Sequence, residues 1–126
     1  MKDLAVTRSI RDFLSGIYNS QGIHVGSAVD ADSVQMPCIL LSIHSRSAVG
    51  SPLYRGTLSV AVNTLANMTT QDAHTELCEA VDESVRTITG LSGHGSTVDG
   101  VVATDVNQHP SNQHFATVMD YIIGFH

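Results

Sequence analysis

Basic residues are scarce in this chain. Its 126 residues include six Lys and Arg against twelve Asp and Glu, which gives a formal net charge of -6. A protein that binds the phosphate backbone tightly needs clustered cations to release counterions, and an acidic surface repels that backbone. The composition therefore argues against tight or sequence-specific binding of nucleic acid.

Long apolar runs are also missing. No stretch of 18 or more apolar residues occurs, and the N-terminal region lacks the basic and apolar segments typical of a secretory signal. We therefore expect no membrane insertion and no export, and a protein that is made in the cytoplasm. A length of 126 residues with 42% hydrophobic content predicts one domain, residues 1–126, with a single core.

The sequence has no G-x-S-x-G, P-loop or dinucleotide-binding motif. Its two cysteines, Cys38 and Cys78, lie among apolar residues without C-x-x-C spacing, so we expect buried free thiols. His109 and His114 flank one turn, and such a pair can share a metal, but no further ligand spacing accompanies it. We predict that the protein is not an enzyme and has no catalytic residue, cofactor or metal site.

What the chain does contain is a long periodic segment at residues 70–90, TQDAHTELCEAVDESVRTITG. At about 100° per residue it forms an amphipathic helix, which we expect to begin near Thr69 and to end at Gly90. The residues expected to face the core are Ala73, Leu77, Ala80, Val81, Ser84 and Ile88. The residues expected on the opposite, solvated side are Asp72, Glu76, Glu79, Glu83 and Arg86.

A second helix and five strands follow from shorter patterns. Residues 2–20 carry an apolar stripe formed by Val6, Ile10, Phe13, Leu14, Ile17 and Tyr18. Strands are predicted at residues 23–28, 38–45, 54–65, 101–107 and 114–125. The connections are a loop at 30–36, a flexible arm at 45–53, a glycine-rich link at 91–100 and a hairpin turn at 108–113.

The predicted order is α-β-β-β-α-β-β. Both helices can bury their apolar stripes on one face of a mostly antiparallel sheet, so we predict an α+β fold with the architecture of a two-layer sandwich. The other face of the sheet would be small and polar, and it suits a subunit contact or a pore lining. The strand at 54–65 would contribute Thr57, Ser59, Ala61 and Asn63.

In this order of elements the chain resembles the tail terminator (tail-completion) proteins of long-tailed bacteriophages. The resemblance is carried by a leading helix, VTRSIRDFLSGIYNSQGI, a Pro-led strand, MPCILLSIHS, a second strand after a long arm, YRGTLSVAVNTL, and the later helix and closing strand pair. It implies a structural virion protein that forms a ring, expected to be a hexamer, at the head-proximal end of the tail. Such a ring caps the tail tube, stops its polymerisation and provides the surface that joins the head.

The resemblance also implies the partners: further copies of the chain, the tail tube protein and a head-completion or neck protein, with DNA passing through the ring unbound and no membrane. We expect the arm at 45–53 to be mobile in the free subunit and ordered in the ring, because it has few apolar atoms to offset the entropy of ordering. The expected contacts to a neighbouring subunit or to the tube are Arg46, Val49, Leu53, Tyr54 and Arg55, facing Glu79 and Glu83.

Two other functions remain open. A non-catalytic α+β module that binds a ligand or a protein is the first alternative, and it would need a concave apolar pocket. A small metal-dependent hydrolase is the more distant one.

Overall fold

A computed structural model of the protein describes residues 2–27, 37–50, 53–109 and 113–126; the side chains of residues 2, 3, 44–50 and 53 lie outside this description. The predicted loop at 30–36 is therefore outside the described residues. The elements, in chain order, are helix α1 (Lys2–Tyr18) with a 3-10 turn (Asn19–Gln21), strands β1 (His24–Ser27), β2 (Cys38–Gly50) and β3 (Leu53–Leu65), helix α2 (Gln71–Arg86), and strands β4 (Leu91–Gly93), β5 (Ser96–Gln108) and β6 (His114–Phe125).

The six strands form one sheet in the order β1-β2-β3-β6-β5-β4. β1 pairs with β2 in parallel, and the other neighbouring pairs are antiparallel. The α+β class is confirmed, and the sheet is mixed. The predicted order of elements is wrong in one respect, because β4 adds a strand between α2 and the closing strand pair.

The extra strand arises where the sequence predicts a glycine-rich link. Leu91–Gly93 pairs with the start of β5, with Gly93 opposite Ser96. The two residues of the turn between them, His94 and Gly95, both have positive φ, 52° and 80°, as the tight hairpin turns that match strand twist require. Glycine density at residues 91–100 therefore marks a hairpin rather than an irregular connection.

The predicted arm at 45–53 is also wrong as an irregular segment. β2 continues to Gly50 and β3 begins at Leu53, and the two strands stay paired as far as Gly50 opposite Leu53. Residues 51–52 lie outside the described residues. Register shifts between Ile43 and Arg46 and between Ala48 and Gly50 interrupt the alternation, and such bulges conceal a strand from a strict period-two pattern.

The core is one cluster between the helices and one side of the strands. From α1 it takes Val6, Ile10, Leu14 and Tyr18, which confirms most of the predicted stripe. Alternate apolar residues of β2 and β3 lie on the same side: Ile39, Leu41, Leu58, Val60 and Val62 are each 0% exposed, and Ile43 is half-buried. β6 adds four large side chains, Met119, Tyr121, Ile123 and Phe125.

The face predicted for α2 is wrong in part: Val81 and Ile88 are buried as predicted, but the buried face also includes residues that were not predicted to face the core. Its buried residues are His74, Cys78, Val81 and Val85, followed by Ile88 beyond its end. Ala73 and Ala80 are exposed and Leu77 is half-buried. The helix begins one residue later than expected, with Thr70 Oγ1 accepting from Ala73 N at 3.1 Å, an N-cap contact.

Candidate interaction surfaces

The predicted interface residues lie on three elements, β2, β3 and α2. Arg46 and Val49 belong to β2, and Leu53, Tyr54 and Arg55 belong to the start of β3. The Tyr54 ring is half-buried and stacks on Phe125 of the same chain, with ring centroids 5.6 Å apart. Tyr54 therefore extends the core, whereas Arg55 is exposed.

Glu79 and Glu83 are both exposed on α2 and border different depressions. Glu83 lines a groove between α1 and α2, and Glu79 lines a smaller cavity between α2 and the sheet. Among the described side chains, neither glutamate forms an ion pair with Arg55. A contact with a neighbouring subunit stays a prediction.

The groove between the helices has a volume of about 650 Å³. Its apolar lining comes from Phe13 and Ile17 of α1 and from Leu77 of α2, and acidic residues lie at its rim. The Tyr18 hydroxyl and Ser84 Oγ, 3.1 Å apart, bridge the two helices. The groove therefore explains why the apolar stripe predicted for α2 is only partly buried: the stripe faces α1 across a gap rather than the sheet.

The sheet face that points away from the core carries small and polar side chains on β3, as predicted. Thr57, Ala61 and Asn63 are half-buried there, and Ser59 is 5% exposed. On β5 and β6 the same face is more apolar, because Val102 and Ile122 lie opposite each other and are 65% and 41% exposed. No helix of the described residues contributes to this outer face.

Two aspartates meet on the outer face. Asp105 of β5 lies directly opposite Asp120 of β6, a like-charge pair that destabilises a sheet unless each carboxylate finds donors. Ser59 Oγ donates to Asp120 Oδ1. Val106 N donates to Asp105 Oδ1 at 2.9 Å. Each carboxylate therefore has its own donor, and the face keeps its negative charge.

The strands at the two ends of the sheet are short and run beside only part of their long neighbours. Among the described residues, β1 pairs with residues 38–41 of β2, and β4 pairs with residues 96–98 of β5. Within the same described residues, the rest of β5, residues 100–108, pairs with β6 alone.

A buried polar centre under α2 was not predicted. His74 is 3% exposed and is held on both ring nitrogens, with Nδ1 2.8 Å from Thr64 Oγ1 and Nε2 2.9 Å from Thr117 Oγ1. Cys78 Sγ lies 3.5 Å from the same Nε2. Burial lowers the pKa of His74 below its ordinary value, so the neutral ring donates to one threonine and accepts from the other.

Burial also makes the cysteines unreactive. It raises the pKa of the Cys78 thiol and of the Cys38 thiol, and a thiol needs its deprotonated form to act as a nucleophile or a metal ligand. Both are buried and free, as predicted. The Cys78–His74 contact therefore acts as packing and hydrogen bonding rather than as a nucleophile and its base.

A second polar contact ties α2 to the sheet. The Tyr121 hydroxyl donates to Asp82 Oδ1 at 2.6 Å, and Arg86 Nε donates to Asp82 Oδ2 at 2.8 Å. Burial, followed by the contact with Asp82, raises the pKa of Tyr121. The phenol therefore stays protonated and remains a donor at any physiological pH.

The histidine pair near the last turn lies at its two ends. His109 is exposed and its backbone N donates to Ala116 O at 2.8 Å, and His114 opens β6 opposite Leu65. Residues 110–112 between them lie outside the described residues. Within the described ranges, no group of three or more His, Cys, Asp or Glu side chains is placed to hold a metal ion.

Sequence reasoning missed His74, Thr64, Thr117 and Asp82 because polar residues were assigned to the solvated side of each element. A signal was present for the helix, since positions 74, 78, 81, 85 and 88 recur at three- and four-residue steps. Thr64 also has the same parity as Val60 and Val62 on β3. Both patterns place a polar residue on a buried face, where it needs a partner.

Comparison with known proteins adds no relative. No protein-family model matches the chain, and no curated protein sequence is significantly similar to it. No helix in the described ranges is long and apolar enough to cross a membrane. A functional assignment for this chain therefore depends on the surfaces described above and on the order of its elements.

Proposed function

We propose that the protein is a structural subunit of a long-tailed phage virion, a tail terminator that assembles as a ring on the head-proximal end of the tail tube. The ring stops tube polymerisation and presents the surface that joins the head. Its finer architecture, two helices on one layer and an open sheet on the other, is the arrangement that suits a ring subunit. The proposal includes no catalysis and no cofactor.

The uncovered outer face of the sheet is the observation that carries this proposal. It combines small polar residues on β3 with the exposed pair Val102 and Ile122. A face of this kind is too polar to form a hydrophobic core, but a protein contact would bury its exposed valine and isoleucine favourably. A subunit that presents such a face is suited to assembly.

The charge of the same face supports a lumen for DNA. Asp105 and Asp120 lie side by side there, and the whole chain carries a net charge of -6. Negative charge along a channel keeps a polyanion from binding to the wall. DNA therefore passes such a ring without a specific site.

The helix groove favours a second function, a binding module. Its volume of about 650 Å³ lies in the range of small-molecule sites, about 300–1,000 Å³. Its lining includes Glu76 and Glu83 beside Phe13 and Leu77, which suits a ligand that is both apolar and cationic. A ligand that binds the folded protein raises its melting temperature, so a thermal-shift screen of amphiphilic amines tests this function.

The test of the terminator function is assembly on tubes. We expect the protein, mixed with tubes polymerised from the tail tube protein of the same genome, to appear as a terminal ring in negative-stain micrographs and to stop tube growth. Light scattering should also give a mass several times 13.4 kDa, in solution or on tubes. A protein that stays monomeric at high concentration and leaves tubes uncapped contradicts the proposal.

A further inference from the structure

Helix α2 carries two stripes of apolar or small residues, of which one faces the sheet and the other faces α1. The first stripe, at positions 74, 78, 81, 85 and 88, is buried. The second stripe, here called the groove seam, is shifted by one residue and lines the groove between the helices: Ala73, Leu77, Ala80, Ser84 and Thr87. The first, third and fifth of these residues are exposed, and the other two are half-buried.

The spacing of the groove seam is that of a contact between helices. Its positions recur at alternating steps of four and three residues, as the a and d positions of a coiled coil do. The seam extends from Ala73 to Thr87, about 21 Å along the helix axis. Alanine and serine side chains are short, so the backbone of a further helix can lie close to α2 here. A seam of this length and period suits a helix better than a compact small molecule.

The opposite wall of the groove is apolar. Phe13 and Ile17 of α1 lie one helical turn apart in it, and Ile17 is 36% exposed. The Tyr18 hydroxyl and Ser84 Oγ, 3.1 Å apart, join the two helices across the groove. A helix laid in the groove would bury Ile17 and Leu77 without requiring α1 and α2 to separate.

Negative charge flanks the groove seam. Glu76 and Glu83 are exposed and line the groove. When Leu77 and Ser84 are taken as a positions, these glutamates are the preceding g positions of two successive heptads. In a coiled coil the g positions pair with opposite charges on the partner helix. The matching helix therefore carries lysine or arginine beside its apolar stripe.

We infer that the groove between α1 and α2 holds a basic amphipathic helix of a partner protein. Its apolar stripe faces the groove seam, and its lysine or arginine side chains lie beside Glu76 and Glu83. The spacing of the seam selects a helix, and the two glutamates select a basic one. A helix laid in an apolar groove is a recurring mode of recognition between proteins. This inference goes beyond both functions proposed above, because it names a second protein as the occupant of the groove.

A synthetic peptide tests the inference. The probe is a fluorescein-labelled peptide of about three heptads, with leucine at positions a and d and lysine at positions e and g; its like charges keep it from pairing with itself. Fluorescence anisotropy should show saturable binding to the native protein, and the affinity should fall as salt is added. A peptide of the same composition with the heptad period broken should not bind.

Charge variants identify the surface that the peptide uses. Glu76→Lys with Glu83→Lys should raise the Kd of the lysine peptide about tenfold or more, and this variant should prefer a peptide with glutamate in place of lysine. The matched control is Asp72→Lys with Glu79→Lys, because these acids are also exposed on α2 and seven residues apart but lie outside the lining of the groove. Circular dichroism checks that both variants fold.

A bulky residue tests the seam without a change of charge. Ala80 is exposed, so Ala80→Trp should fold and should abolish binding of the lysine peptide by filling the seam. If the charge variant does not fold, the result from Ala80→Trp decides.

The outcomes distinguish a partner helix from the other occupants. Loss of binding in the groove variants alone supports the inference. Equal losses in the Asp72 and Glu79 control, or no binding to the native protein, overturn it. A melting temperature that rises with an amphiphilic amine but not with the peptide favours a small ligand and also overturns it. Native oligomers that dissociate on Glu76→Lys with Glu83→Lys identify a second copy of the chain as the occupant instead.

The capping of tail tubes is scored separately. Capped tubes without peptide binding overturn the partner helix and leave the terminator function. Peptide binding with uncapped tubes does the reverse.

Discussion

Helices α1 and α2 cover the same sheet with different side chains. α1 buries four large apolar or aromatic residues, Val6, Ile10, Leu14 and Tyr18, whereas α2 buries His74 and Cys78 before Val81 and Val85. The first half of α2 is therefore fixed by directed contacts with Thr64 and Thr117. α1 is held mainly by packing.

This difference has an energetic meaning. Apolar burial is non-directional and tolerates small shifts of a helix. A buried histidine with both nitrogens bonded tolerates almost none, because each lost hydrogen bond leaves a buried polar group without a partner. The position of α2 should therefore be more narrowly defined than that of α1. The loss of one hydrogen bond should also lower the free energy of unfolding more in α2.

The largest effect expected is from a charge on the true buried face of α2. Val81→Asp places a carboxylate where the native side chain is 0% exposed, at a cost of several kcal/mol in the free energy of unfolding. Leu77→Asp, on the stripe that faces the groove, should cost about 1 kcal/mol. Urea denaturation of both variants checks this.

Equal losses from Val81→Asp and Leu77→Asp would show that α2 is rotated from the orientation described. That result would also contradict the difference between the two helices, since α2 would then bury an apolar stripe like that of α1.

The next effect concerns the polar centre itself. His74→Ala leaves the Thr64 and Thr117 hydroxyls, which now bond the ring, without a partner and opens a cavity, so it should lower the free energy of unfolding by about 2–4 kcal/mol. His109→Ala is the matched control, because His109 is exposed and its removal should change little. Similar melting temperatures for the two variants would contradict a structural role for His74.

A smaller effect should appear as a pH dependence. Because burial lowers the pKa of His74 in the folded state, the unfolded chain takes up a proton more readily than the folded one. The stabilising contribution of the neutral ring is full above the unfolded value of about 6.5 and is lost as the pH falls below it. His74→Leu should therefore show a shallower fall in unfolding free energy between pH 7 and pH 5.

The pH experiment compares slopes, so it does not depend on the absolute stability of the variant. The rest of the chain is the same in both proteins, so its contribution cancels in the difference. Identical slopes for the native chain and His74→Leu would mean that His74 is not held neutral by burial.

The smallest effect is expected at the outer contact of α1. His94 Nε2 and Asp12 Oδ2 are 2.8 Å apart, and this hydrogen bond lowers the pKa of Asp12. Both groups are exposed, and surface pairs of this kind contribute little. Asp12→Asn should leave the melting temperature at pH 7 unchanged within error, and a clear drop would show that α1 also depends on a directed contact.

The periodicity of apolar residues was sufficient to predict much of the fold. The stripe of α1 and the buried faces of β2 and β3 follow from period alone, because apolar residues occupy most of the core positions in each. α2 was different, since alanines at 73 and 80 made the groove side look apolar while His74 occupied a core position. Small residues on the groove side and one hydrogen-bonded polar residue on the core side were enough to shift the predicted buried face of α2.

The candidate surfaces were harder to predict than the core. Small polar residues on the outer face of β3 were expected from alternation. The place of each strand in the order β1-β2-β3-β6-β5-β4 was not, because contacts between distant strands leave no local pattern. The strand residues 45–50 of β2 were hidden by register shifts and by their serines and glycine.

The central position of β6 has a consequence for how the chain becomes folded during synthesis. β6 lies between β3 and β5, yet it follows both in the sequence. The hairpin of β2 and β3 and the hairpin of β4 and β5 therefore have no shared hydrogen bonds until the ribosome has delivered residues 114–125. Two incomplete half-sheets exist until then, each with an unsatisfied edge that neighbouring nascent chains or a chaperone can occupy. Closure across some sixty residues of chain is a slow step, so the speed of folding is set by the last strand to emerge.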